Sequence, residues 1–311
     1  VASYDKAIAL KPDFAEAHFH RGCLLQDMEQ HESAADSYQM AVAHAPSFAE
    51  AYANLGLVLQ ELKEPKEAIA CYDKAITLKP DLVEPYFNRG NAHHELQQFE
   101  LAVISFGMAI ELRPSYTAAY YNRGTALKDL NRFEEAISSY DMAIQLKPDY
   151  AEAFSNRGVA QEKLKQLDAA MASYNHAITL KPDYAEAYCN LGNVFKEMDQ
   201  LDAAVACYDQ AIRFKKEYTL AYYNLGVSLH KLKQWDAAEQ SFENAFAVNA
   251  NSEWLIGMRL QAKMFLCDWS QITNCIALCQ SEIDLQGRVI LPFIALMLFD
   301  QPELLLQTCK I

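Results

Sequence analysis

SYTAAYYNRGTALKDLNRFEEAISSYDMAIQLKP, residues Ser115–Pro148, is one copy of a unit that recurs through most of this 311-residue chain. Its glycine marks the register: Gly22, Gly56, Gly90, Gly124, Gly158, Gly192 and Gly226 are each 34 residues apart. A fixed period of this length belongs to an array whose units cannot bury their apolar faces alone and so stack on their neighbours. The chain breaks at Asn131-Arg132, which splits the unit in two.

The apolar spacing inside a unit is helical. In the copy from Ser47, Tyr52, Leu55, Gly56 and Leu59 fall three and four apart, and after Leu62 so do Ala68, Tyr72, Ala75 and Ile76. This predicts two amphipathic helices per unit. Gly56 and Ala68 are small where the two helices approach, and Tyr72 and Ala75 are expected to fill the seam to the next unit. Asp13, Ser47, Asp81, Asp149 and Asp183 stand three residues before Glu16, Glu50, Glu84, Glu152 and Glu186, the spacing of a capping box. Lys11, Lys79, Lys147 and Lys181 end the preceding helix, where a cation suits the dipole, and each is followed by proline. Glycine in the first helix, alanine and tyrosine in the second and this terminal proline resemble the tetratricopeptide repeat.

The resemblance implies an all-α fold, a right-handed tetratricopeptide-repeat superhelix (an α-solenoid) ending in a degenerate helical cap and a short apolar tail. Residues 1–12 read as a partial repeat, the second helix only, since Tyr4, Ala7 and Pro12 match Tyr38, Ala41 and Pro46 one period later. Residues 13–250 hold seven repeats, 251–283 a degenerate capping repeat with a break near Cys267-Asp268-Trp269, and 284–311 the truncated start of a following domain. The net charge of −14 disfavours a polyphosphate partner, so no nucleic acid is expected. No run of apolar residues is long enough for a membrane span. Cys71 and Cys207 hold the same place in two repeats, as packing residues do, and no metal is expected. Cys275 and Cys279 share a helical spacing without a histidine after His230 to complete a zinc set. A cytoplasmic location is expected, although the true N-terminus lies upstream.

The first helices should line the concave side of the array. Two places before the glycine stand Asn54, Asn88, Asn122, Asn156, Asn190 and Asn224, with His20 in the first full repeat. An asparagine amide donates and accepts, so it can pair with a backbone peptide group without reading a side chain. First helices about 8 to 10 Å apart would meet an extended strand, which rises about 3.3 Å per residue, once every three residues. These six are the candidate peptide-binding residues, and extended polypeptide segments the expected partners. The same asparagines also suit local hydrogen bonding. Phe19, Phe87, Tyr121 and Tyr223, one position earlier, suit either a bound chain or packing between first helices. Arg21, Arg89, Arg123 and Arg157 replace Leu55, Leu191 and Leu225, and read as structural: stem on apolar surface, guanidinium toward an acid or solvent. The lysine-rich groove of tetratricopeptide domains that grip chaperone C-terminal carboxylates has no counterpart here.

After the repeats come Trp254-Leu255-Ile256, Cys267-Asp268-Trp269-Ser270 and Leu291-Pro292-Phe293. This tail resembles the junction of repeats and catalytic region in the protein O-linked N-acetylglucosamine transferase and SPINDLY family, particularly its bacterial members. That resemblance implies a parent protein that glycosylates polypeptide hydroxyls from a nucleotide sugar, UDP-GlcNAc, with this chain as its acceptor-binding arm and the asparagines holding the acceptor. No Gly-rich phosphate loop is present, so the chain carries no catalytic residues and no cofactor of its own. The apolar stretch Val289 to Phe299 would pack on the missing C-terminal domain. The alternative is an independent tetratricopeptide adaptor that assembles other proteins.

Overall fold

The computed structural model of the chain describes residues 1–249, and every regular element among them is an α-helix. The expected cap at 251–283, the Cys267-Asp268-Trp269 junction, Cys275 and Cys279 and the apolar tail at 284–311 lie outside the described residues.

The chain divides into two compact units, Val1–Leu164 and Lys165–Ile311. The division falls inside the fifth repeat, at the turn between its two helices. The first unit holds α1 (Ala2–Leu10), α2 (Ala15–Asp27), α3 (His31–His44), α4 (Ala49–Glu61), α5 (Pro65–Leu78), α6 (Val83–Glu95), α7 (Phe99–Leu112), α8 (Thr117–Asp129), α9 (Phe133–Leu146) and α10 (Ala151–Lys163). The second holds α11 (Leu167–Leu180), α12 (Ala185–Glu197), α13 (Leu201–Phe214), α14 (Thr219–Lys231) and α15 (Trp235–Val248). Even-numbered helices are the first of each repeat, odd-numbered ones the second, and α1 is a second helix.

Six hairpins are locked by a side chain entering a notch. A Cβ built on Gly56 would lie 2.6 Å from Cε1 of Tyr72, and one on Gly124 2.8 Å from Cε1 of Tyr140. Gly22 with Tyr38, Gly90 with Phe106, Gly192 with Tyr208 and Gly226 with Phe242 repeat the arrangement. Among the described residues no glycine has a positive φ, so space is the reason for the residue. The expectation that Tyr72 fills the seam to the next repeat is not met: it sits over the glycine of its own repeat, and its hydroxyl donates to Gln60 Oε1 of the same hairpin at 2.7 Å. The seam belongs to alanines and their neighbours, with Ala109, Ala119, Ala143 and Ala153 joined in one buried cluster.

The turns inside the hairpins are left-handed without glycine. Glu29, Lys63, Gln97, Asn131, Lys165, Asp199 and Lys233 have φ between 57° and 65°. This bend lets Asn131 N–H reach Lys128 O and Arg132 N–H reach Leu127 O, each at 2.9 Å, which satisfies the carbonyls at the end of α8.

The expected capping boxes do not form. The residues at the N-caps are Phe14, Phe48, Leu82, Tyr150 and Tyr184, and none of these helices has a side-chain cap. The helices start one residue later than the box requires, at a residue whose apolar side chain, in Phe48 and Tyr150, rests against the preceding repeat. Phe48 lies 4.7 Å from Phe19, Tyr116 4.8 Å from Phe87 and Tyr150 4.8 Å from Tyr121, ring centre to ring centre. The glutamates serve otherwise: Glu50 accepts from Lys79 Nζ at 3.0 Å, Glu84 from Arg113 Nη2 at 2.7 Å and Glu186 from Lys215 Nζ at 2.8 Å. These contacts and the glutamates' own first-turn amides hold the three carboxyls below their usual range. Several of the helix-ending cations also cover the next ring, as Lys147 does over Tyr150 at 4.8 Å.

Candidate functional site

The six asparagines occupy one register of the first helices, α4, α6, α8, α10, α12 and α14, and all are half-buried. Four bond to neighbouring elements. Asn54 Nδ2 donates to Tyr38 Oη at 3.4 Å and lies 3.8 Å from Cys23 Sγ. Asn122 Nδ2 donates to Asn91 Oδ1 and Asn156 Nδ2 to Tyr121 Oη, both at 2.8 Å. Asn224 Oδ1 accepts from Lys196 Nζ at 2.7 Å. Asn88 and Asn190 have no side-chain partner among the described residues. Local hydrogen bonding and an outward pairing role are compatible here, because an amide with two N–H donors and two acceptor lone pairs is not exhausted by one bond.

A cleft of about 250 Å³ opens between α6 and α8, lined by Asn91, His94, Glu95, Phe106, Tyr121, Asn122 and Thr125. Its floor is Phe106, which stands where other hairpins have tyrosine. That substitution decides the polar rim. In its own hairpin Tyr140 Oη donates to Thr125 Oγ1 at 3.3 Å, and Tyr208 Oη donates to Asn193 Oδ1 at 2.9 Å. Phe106 has no hydroxyl, so Asn91 Oδ1 is left to accept from Asn122 of the next repeat. On the same side, His94 Nε2 and Asp129 Oδ2 are 2.9 Å apart. The cleft thus joins an apolar floor to an amide pair, a threonine hydroxyl and the Glu95 carboxylate, an apolar base with a few polar groups around it.

The residue after the glycine was not singled out in the sequence. It is polar in Asn91, Thr125 and Asn193 and apolar in Leu57, Val159 and Val227, and that alternation was the available signal. Phe19, Phe87 and Tyr121 pack against the aromatic of their own second helix and the first aromatic of the next repeat, as in Phe87 with Phe106 at 5.7 Å. Tyr223 meets Phe242 at 6.1 Å. Packing is their role in the structure, and Tyr121 also presents its hydroxyl to Asn156. The thiols of Cys71 and Cys207 are half-buried and pushed by burial up to about 11, so they stay protonated and act as apolar filler.

The comparisons with known proteins follow the repeats. Residues 49–82 match a family described as tetratricopeptide repeat, 83–116 and 220–252 match a second of that description, and 124–165, 163–199 and 192–233 match one described as TPR repeat. Among solved structures, YrrB, described as a TPR protein with an unusual peptide-binding site, is similar with 24% identity and a TM-score of 0.54, covering 64% of this chain and 99% of its own. A tetratricopeptide repeat protein from Parabacteroides merdae is similar with 18% identity and a TM-score of 0.61, covering 80% of this chain and 98% of its own. The APC/C hetero-tetramer Cut9-Hcn1 is similar with 14% identity and a TM-score of 0.58, covering 84% of this chain and 51% of its own. Curated proteins give no match.

Proposed function

We propose that this chain, which belongs to the tetratricopeptide repeat family, is an adaptor that brings proteins together by holding extended polypeptide segments against its first helices. The observation that carries the reading is the cleft between α6 and α8, where Asn122 and Asn91 border an apolar floor. Asn54, Asn88, Asn122, Asn156, Asn190 and Asn224 repeat the same amide along the first helices of both units. Within one unit, a bound segment supplies one backbone peptide group to each of that unit's amides. Side chains then select through the pockets between amides, and Phe106 forms the base of one such pocket. The description of YrrB's peptide-binding site lends support to a polypeptide as the occupant.

The second reading, the acceptor-binding arm of a nucleotide-sugar-dependent protein glycosyltransferase, rests on the Cys267-Asp268-Trp269 region. The family matches end at residue 252 and lie on the repeats alone, which favours the adaptor. We place the chain in the cytoplasm, a setting suited to its protonated, half-buried thiols.

The test is fluorescence anisotropy with several unrelated extended peptides. Replacing Asn122, Asn156 and Asn190 together by Ala is expected to weaken all of them by a similar factor, about tenfold or more if the three bonds together contribute about 1.4 kcal/mol. Unchanged affinity in a variant that remains helical would rule out the asparagine register as the binding device.

A further inference from the structure

The arginines before the glycines are not equivalent. Arg21 Nε donates to Asp5 Oδ1 at 2.8 Å, Arg89 Nη1 to Asp73 Oδ1 at 2.6 Å and Arg157 Nη1 to Asp141 Oδ1 at 2.7 Å. In each case the carboxylate lies 16 residues earlier, on the second helix of the preceding repeat. The same place opposite Arg123 is Gly107, and a Cβ built there meets nothing within 4 Å. Arg123 is half-buried. It bonds Ser139 Oγ through Nε at 3.1 Å and its guanidinium carbon stands 5.4 Å from the centre of the Tyr120 ring, but it makes no ion pair among the described residues. Glu135 is on the facing helix, yet both of its oxygens accept from Arg132, at 2.7 and 2.6 Å. A cation drawn partly out of water next to an open position is a half-built ion pair.

The helix that lacks the carboxylate also has an unusual flank. Leu101 and Ile104, at successive three-residue steps before Gly107, are 46% and 58% exposed. The corresponding residues are Ser33 and Asp36 on α3, Glu67 and Ala70 on α5, and Glu135 and Ser138 on α9. The apolar step and the missing aspartate occur on the same helix.

We propose that Arg123 and the flank of α7 form a second protein-docking site, in which an acidic side chain of a partner segment takes the place of the absent aspartate over Gly107. Apolar residues of the same segment lie on Leu101 and Ile104. Charge complementarity commits the occupant to an acidic, apolar-flanked polypeptide. The site pairs an arginine of a first helix, α8, with the flank of a second helix, α7, and uses none of the asparagines, so it does not depend on the asparagine reading.

The experiment follows the arginine Nε–H resonances of the whole chain by NMR, with Arg123 assigned through Arg123→Leu, a residue that Leu55, Leu191 and Leu225 already place at this position. The probes are an acetylated, amidated peptide with one glutamate among leucines, its glutamine counterpart, and sodium phosphate. The glutamate peptide is expected to shift Arg123 saturably and bind about tenfold tighter than the glutamine peptide, as a charge-assisted bond requires, with Arg21, Arg89 and Arg157 unmoved. Gly107→Asp, which supplies the aspartate from within, is expected to abolish the shift while keeping or raising Tm. Replacing Leu101 and Ile104 by Ser is expected to weaken the peptide severalfold. The proposal is overturned by a silent Arg123, by equal response to glutamine peptide or phosphate, by a response that survives Gly107→Asp, by an affinity that the serine pair leaves unchanged, or by a shift that tracks protein concentration without peptide, which would assign the site to a second copy.

Discussion

Asn54 and Gly56 sit two residues apart on α4 and recur together along the chain, yet the structure treats them in opposite ways. Six glycine notches, at Gly22, Gly56, Gly90, Gly124, Gly192 and Gly226, meet the aromatic 16 residues later, in their own hairpins, with almost the same contact distance. The asparagines meet whatever the adjoining repeat offers: a tyrosine hydroxyl near a thiol for Asn54, an amide for Asn122, a phenol for Asn156, an ammonium for Asn224. The notch is an internal fitting with one solution, whereas the face of the first helices is an adjustable polar surface. A family fold can thus be constant inside each repeat and still present a varied binding face.

The largest effect should come from breaking the constant half of this comparison. Gly124→Ala would push a methyl group into Tyr140, and overpacking of this kind costs about 1–3 kcal/mol; urea unfolding followed by far-UV circular dichroism is expected to show a midpoint lowered accordingly. Asn122→Ala, two residues away, should lower stability by only about 1 kcal/mol or less. Equal losses at the two positions would remove the distinction.

A subtler change sharpens it. Phe106→Tyr restores the hydroxyl found in other hairpins, and it should compete with Asn122 for Asn91 Oδ1. The side-chain amide resonances of Asn122 are expected to move toward solvent-exposed values while stability changes by about 1 kcal/mol or less. A stationary Asn122 amide would mean that the notch does not govern the face.

The pH dependence tests the contacts that replace the missing caps. Glu50, Glu84 and Glu186 titrate below their usual range chiefly because Lys79, Arg113 and Lys215 bond them. Their contribution is complete above the unfolded value of roughly 4.3 and is lost as pH falls through the lower folded values. The pairs are exposed, so the loss should be small. Acid unfolding of Glu50→Gln, Glu84→Gln is expected to be less steep than that of the parent chain, and identical profiles would exclude these pairs as contributors.

The smallest effect concerns the hairpin turn. Lys63 holds φ 65°, a conformation that asparagine tolerates better and that Asn131 already adopts at φ 58°. Lys63→Asn should raise stability by about 0.5 kcal/mol, read as a slightly higher Tm; a decrease would mean that the lysine side chain contributes more than its backbone strain costs.

How much of this was legible follows from where each interaction is encoded. The period, the two helices per unit, the turn and the small residues where the helices approach were readable, because each depends on residues within one repeat and helical spacing reports them directly; that Tyr72 covers Gly56 and does not fill the seam to the next repeat was not. The arginine's structural role was readable too, since a long stem ending in a cation needs an acid nearby, and Asp5, Asp73 and Asp141 supply it. The capping boxes misled because spacing alone cannot show that α4 starts only after Phe48, whose ring rests against Phe19 of the previous repeat. The cleft was hidden for a related reason: it depends on Phe106, Asn91 and Asn122 meeting across two repeats.

By itself, the amino-acid sequence determined an all-α array of helix hairpins, its period, and the amide register of Asn54, Asn88, Asn122, Asn156, Asn190 and Asn224, since these are matters of local composition and spacing. Only the tertiary structure decided that Asn91 is released to Asn122 by a missing hydroxyl, that Glu50 bonds Lys79 instead of capping with Ser47, and that Arg123 faces an empty place at Gly107. Those outcomes turn on distances between residues 15 to 31 positions apart, where one side chain more or less redirects a hydrogen bond without disturbing the pattern that encodes the fold.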